Sequence, residues 1–213
     1  MIDWSWSALA DALAAGLARA ADAIELDQAV RGLDACGELE LHPILQTALR
    51  DAGYGVFPEQ RFPRDRSRRK RSAGARCDLV LTPDAATPLD DAALGEALWI
   101  EIKVVAQFRR LGPNSSYARA LQAPVWKDVV KLASDPTIVH GLVVLVLFTA
   151  DASTADHDLD VWRTRATERG LHLWPRVQRS LPIGDRVGNR LCTVALFPLD
   201  QGMGGSKWTQ PHR

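Results

Sequence analysis

Between Gly141 and Ala150 the chain reads Gly-Leu-Val-Val-Leu-Val-Leu-Phe-Thr-Ala, and every position from Leu142 to Phe148 is apolar. The run is too short to span a membrane and lacks the alternation of a half-solvated strand. It reads as a strand buried on both faces, which places the chain in the α/β class. Elements of both kinds are predicted around it. Trp4–Arg31 carries Leu9, Leu13 and Leu17 at helical spacing, enough for one or two amphipathic helices. A second helical segment runs from about Glu38 to Asp51 with Leu41, Ile44, Leu45 and Leu49 as its stripe, and Gly53 lies just past its end. Strands are expected at Tyr54–Phe62, Arg76–Leu81, Leu98–Ala106 and Leu191–Phe197. Further helices are expected from Tyr117 or Pro124 to Ala133, and over Asp158–Arg169. The predicted order is helix, three strands, helix, strand, with an N-terminal helical extension over residues 1–36, a core over 37–150 and a C-terminal extension over 151–213.

Composition excludes several classes. Cys36, Cys77 and Cys192 are single and widely spaced, which argues against a disulfide framework or a structural zinc site. With Asp3 standing where a signal peptide would carry Lys or Arg, a cytoplasmic location is expected. There is no Gly-rich phosphate loop and no GxSxG. The 26 basic and 26 acidic residues cancel, but they are not evenly spread. Arg61, Arg64, Arg66, Arg68, Arg69, Lys70, Arg71 and Arg76 crowd one segment, opposed there only by Asp65. Such a segment can bind the phosphates of nucleic acid, with Arg66, Arg68, Arg69, Lys70 and Arg71 as the expected contacts.

Chemistry concentrates in Trp99-Ile100-Glu101-Ile102-Lys103. In a strand Glu101 and Lys103 share one face, while Ile100, Ile102 and Val104 hold the other in the core. The neighbouring segment is expected to point Cys77, Leu79 and Leu81 one way, and Arg76 and Asp78 the other. If the two strands are neighbours, Asp78 and Glu101 converge on one hard cation such as Mg²⁺ or Mn²⁺. Lys103, one pleat away, then supplies positive charge where charge develops on a phosphate.

Asp78 followed by Glu101-Ile102-Lys103, on the second and third strands of an αβββαβ core, resembles the PD-(D/E)xK nuclease superfamily. The resemblance covers about Glu38 to Ala150, with Cys77-Asp78 where the family's pattern has Pro-Asp. It implies a restriction-endonuclease-like fold and a Mg²⁺-dependent deoxyribonuclease with Asp78, Glu101 and Lys103 at its centre. Trp126-Lys127-Asp128-Val129-Val130-Lys131-Leu132 is similar to the helix following the third strand in several branches, with Lys127 and Lys131 on a solvated face. In such nucleases a glutamate of the first core helix often completes the site. Glu38 and Glu40 both qualify by position, and Glu38 continues the buried stripe. Glu59 and Gln60 are weaker candidates, and His42 is expected to be a packing residue. The implied partner is DNA, met as a homodimer or within a larger complex, in restriction, repair or antiviral defence. The competing expectations are a non-catalytic nucleic-acid-binding or scaffold subunit, and an RNase or structure-specific resolvase on the same scaffold.

Overall fold

The computed structural model describes residues 3–66 and 75–200. Helix α1 (Trp6–Leu26) starts where the Ser5 hydroxyl accepts the Ala8 N–H, and it buries Leu9, Leu13, Leu17 and Ala21 along one stripe. It is a single helix. A 3₁₀ turn (Leu33–Ala35) leads to α2 (Glu38–Asp51), which buries Leu41, Leu45, Ala48 and Leu49. A Cβ at Gly16 would lie 2.4 Å from the Ala48 Cβ, so α1 and α2 cross at a point only glycine permits.

Next come β1 (Gly55–Arg61), the short α3 (Pro63–Arg66), β2 (Arg76–Thr82) and β3 (Leu98–Ala106). Past β3 the chain forms a small hairpin, β4 (Phe108–Arg109) and β5 (Gly112–Pro113), followed by α4 (Tyr117–Ala120) and α5 (Ala123–Ala133). The last elements are β6 (His140–Thr149), α6 (Ala152–Glu168), β7 (Val177–Pro182) and β8 (Leu191–Pro198).

Six strands make one mixed sheet in the order β1-β2-β3-β6-β8-β7. Among the described strands only β3 and β6 run parallel, joined by the crossover through α4 and α5 that a parallel pair requires. Every described residue from Gly141 to Thr149 in β6 is buried, because both faces of the sheet are covered. One face packs Ile100, Ile102, Leu142, Val144 and Val146 against α1 and α2. The other packs Trp99, Val143, Leu145 and Leu147 against α5 and α6. The predicted C-terminal extension thus sets β8 directly beside β6 within the same sheet.

Several elements differ from expectation, the 3₁₀ turn, α3 and the β4–β5 hairpin among them. Helix α6 begins at Ala152 rather than Asp158, because the Asp151 carboxylate caps the Thr154 N–H at 2.8 Å. Strand β7 was not predicted: it is an edge strand in which only Leu181 is buried. No helix of the described residues is long and apolar enough to cross a membrane. All three cysteines are free.

Candidate active site

Strand β3 follows the predicted alternation. Ile100 and Ile102 enter the core against α1 and α2, while Glu101 and Lys103 fall on the side of Trp99 and Val105. Strand β2 does not. Its ladder with β3 stops at the pair Leu79–Ile100. One residue further, the Asp78 carboxylate itself accepts the Ile102 N–H at 2.8 Å, replacing a backbone rung with a side chain. On the β1 side, Asp78 stands opposite Glu59, whose φ of 53° is left-handed and which interrupts that ladder too. The distortion turns Cys77 to the α5 and α6 side, away from Leu79 and Leu81. This corrects the expectation that Cys77, Leu79 and Leu81 share a face. The buried Cys77 thiol donates towards the Ile100 carbonyl at 3.1 Å, and burial pushes its pKa well up.

The split between β2 and β3 collects charged groups from four elements. The Lys103 ammonium lies 3.1 Å from Glu38 of α2, 3.2 Å from Asp128 of α5 and 3.8 Å from Asp78. Burial works against that ammonium, but the carboxylates of Asp78, Glu38 and Asp128 outweigh it and hold its pKa above the ordinary lysine value. Asp128 is held on its other side by Lys131, 2.5 Å away. Lys131 is therefore a partner of the cluster and not, as expected, part of a solvated face with the exposed Lys127.

Glu101 is 2% exposed, and its Oε1 has no hydrogen-bond partner among the described residues. Burial, then the negative charges of Asp78 and Asp128 together with a hydrogen bond to Asp78, push its carboxyl up to about 9 against the opposing pull of Lys103. At neutral pH it therefore holds a proton. Four carboxylates (Glu38, Asp78, Glu101 and Asp128) face two ammonium groups here, so full ionisation needs further positive charge.

A divalent cation fits that deficit. Ligand atoms of Glu38, His42 and Asp78 lie within 4.8 Å of one another, and the buried His42 Nε2 is without a partner among the described residues. Those three residues offer two carboxylates and one imidazole nitrogen, donors that magnesium, manganese and zinc sites use, while Glu101 bonds to Asp78 from outside that group. Neutralising the buried charge is worth far more here than at an exposed acidic patch.

Glu38, Asp78, Glu101 and Lys103 are thus brought together. Glu40 is not among them: its Oε2 accepts the Gly37 N–H at 2.7 Å and caps the start of α2. Glu59 is exposed, and Gln60 turns back to the Pro58 carbonyl. The expected phosphate contacts Arg68, Arg69, Lys70 and Arg71 lie outside the described residues, as does the side chain of Arg66. Sequence reasoning missed Asp128 and gave His42 a packing role. Both had a signal: Asp128 falls on the stripe of Val125 and Leu132, and His42 follows Glu38 by one helical turn, as a ligand pair on one helix face does. Compared with known proteins, the chain matches no family model, no curated protein and no solved structure.

Proposed function

We propose that this chain is a metal-dependent deoxyribonuclease with a restriction-endonuclease-like core. The observation that carries the reading is the convergence of Glu38, Asp78, Glu101 and Lys103 at a break in the β2–β3 ladder. The element order from α2 to β6 and the parallel β3–β6 pair support the αβββαβ core.

Glu38, His42 and Asp78 would hold the cation, with Glu101, bonded to Asp78, as the further carboxylate the sequence pattern assigns to it. When bound, Mg²⁺ or Mn²⁺ supplies charge neutralisation for the phosphate and activation of water. The chain's own residues divide the remaining work. Lys103, kept charged by its carboxylate neighbours, acts as a fixed positive charge beside the position where charge develops. Because it stays protonated it is no base, so a proton leaving the attacking water goes to a carboxylate of the cluster. Asp128 and Lys131 position Lys103. DNA as the substrate, and a role in restriction, repair or antiviral defence, follow from the family resemblance and the arginine-rich segment leading into β2.

The test is incubation with plasmid, single-stranded DNA and RNA, each with Mg²⁺, Mn²⁺ or EDTA. DNA cleavage with either metal and none in EDTA is expected. Cleavage of RNA alone would move the reading to a ribonuclease. Metal binding without cleavage of any substrate would move it to a non-catalytic subunit.

A further inference from the structure

Beyond the acidic cluster, β3 runs on through Gln107 into the β4–β5 hairpin, whose tip reads Arg109-Arg110-Leu111-Gly112. Leu111 is 100% exposed. Arg109 and Arg110 are exposed, and their guanidinium groups make no hydrogen bond or ion pair among the described residues. The Leu111 side chain therefore buries none of its surface in the fold.

The base of the hairpin is held firmly. The Phe108 N–H donates to the Asn189 Oδ1 at 3.0 Å, and the Asn189 Nδ2 donates to the Phe108 carbonyl at 3.0 Å. The same Nδ2 reaches the Asp34 carboxylate at 2.7 Å, and Asn189 is fully buried. Gly188, with φ of 119°, lies so close that a Cβ there would meet the Phe108 ring at 2.9 Å. Asn114 and Gln107 add bonds to the Ala106 carbonyl and the Ala150 N–H. The tip is therefore presented on a rigid stem, as an inserting side chain needs.

Asp34, Arg109 and Arg110 all line a cleft of about 980 Å³, and the Asp34–Asn189–Phe108 network ties the Asp34 segment to the base of the hairpin. Arg31, Arg109, Arg110 and Arg186 line that cleft, and Glu38 and Val104 form the end adjoining the acidic cluster. Arg31 bonds the Ala35 carbonyl and lies 3.7 Å from Glu40, and Arg186 pairs with Glu25, so of these four arginines Arg109 and Arg110 have no side-chain partner among the described residues.

We propose that the Phe108–Pro113 hairpin is a nucleic-acid wedge: Arg109 and Arg110 grip phosphates along the cleft while Leu111 enters the base stack at the end of β3 away from the acidic cluster, several base steps from the phosphate to be cleaved. The inference rests on the nuclease reading and names how that site engages its polymer. Arginine forks match phosphate oxygens. An apolar side chain driven into a base step unstacks it and kinks the duplex, a cost that added backbone contacts offset. A flexible step is opened most readily, so the wedge favours pyrimidine–purine steps without reading base edges.

The test uses the full chain and a DNA duplex carrying 2-aminopurine, with Ca²⁺ in place of Mg²⁺. Wild type should raise the 2-aminopurine fluorescence at least twofold on binding. Leu111→Ser should bind with less than a tenfold loss of affinity and without the rise. Arg109→Gln with Arg110→Gln should flatten the slope of log K against log salt by about 1.8, at about 0.9 per lost phosphate contact. An undiminished rise with Leu111→Ser, or an unchanged slope in the double variant, overturns the wedge. If Mg²⁺-dependent cleavage persists beside either result, the nuclease reading stands without it. If wild type neither binds nor cleaves DNA, both fall.

Discussion

Cation binding at the cluster should release about one proton, and the source of that proton is Glu101. Its carboxyl, ordinarily at 4.5, is raised to about 9 by burial and by its carboxylate neighbours Asp78 and Asp128. A cation that takes up the ionised form must displace the proton, so below pH 9 the apparent affinity falls tenfold for each unit of pH. From pH 8 to pH 6 the loss is about 100-fold, or roughly 2.7 kcal/mol. The same shift acts on the metal-free fold. Below 4.5 the folded and unfolded states both carry the proton, and between 4.5 and 9 only the folded state does. The Glu101 contribution to stability is therefore complete at acid pH and is lost as pH rises through this window, at about 1.4 kcal/mol per unit. Glu101 is nearly inaccessible, so solvent screening does little to reduce it. Calorimetric titration with Mn²⁺ at pH 6, 7 and 8, in buffers of differing ionisation enthalpy, counts the protons directly. Urea melts of wild type and Glu101→Gln across the same range isolate the stability slope. Equal Mn²⁺ affinity at pH 6 and pH 8, or an unaltered slope in Glu101→Gln, would show that Glu101 is already ionised without metal.

Three further outcomes are expected. Lys103→Ala should abolish cleavage while retaining Mn²⁺ affinity, because it removes a fixed positive charge and no ligand; it should also cost the metal-free fold roughly 3–5 kcal/mol by leaving Glu38, Asp78 and Asp128 without their shared cation. Single-turnover cleavage and melts with and without Mn²⁺ read both effects, and cleavage equal to wild type refutes the mechanism. Glu38→Gln should impair cleavage strongly, whereas Glu40→Gln keeps an oxygen to accept the Gly37 N–H, should cost less than about 1 kcal/mol and should leave turnover intact; the reverse order would shift the third carboxylate to Glu40. Replacing Arg68, Arg69, Lys70 and Arg71 with Ala should weaken binding to all DNA sequences alike and flatten the salt slope by roughly three to four units, and an unchanged slope would mean these charges only face solvent.

How much of this could be read from the chain depended on whether a position was fixed locally or by distant partners. The alternation in β3 was legible because Ile100 and Ile102 are apolar neighbours of two charged residues, and a regular strand has a period of two. In β2 the same rule gave the wrong face for Cys77, since the alternation fails where Glu59 turns left-handed and Asp78 substitutes for a backbone rung. Nothing in the letters Arg-Cys-Asp-Leu announces that break. It follows from three strands meeting, and it is the same break that opens room for the charges. The α2 stripe placed Glu38 correctly towards the sheet, yet the value of His42 emerged only when Asp78 came within ligand distance. Asp128 was harder still: its role needs α5 to dock on β3 so that Lys103 is enclosed by carboxylates from three directions. A buried lysine in an apolar strand is itself a constraint, because an ammonium removed from water must find negative partners or lose its charge. Lys103 in β3 therefore demanded more acids than Glu101 and Asp78 could offer, and a search of the following helix for an acid on its apolar stripe would have reached Asp128 from the sequence alone.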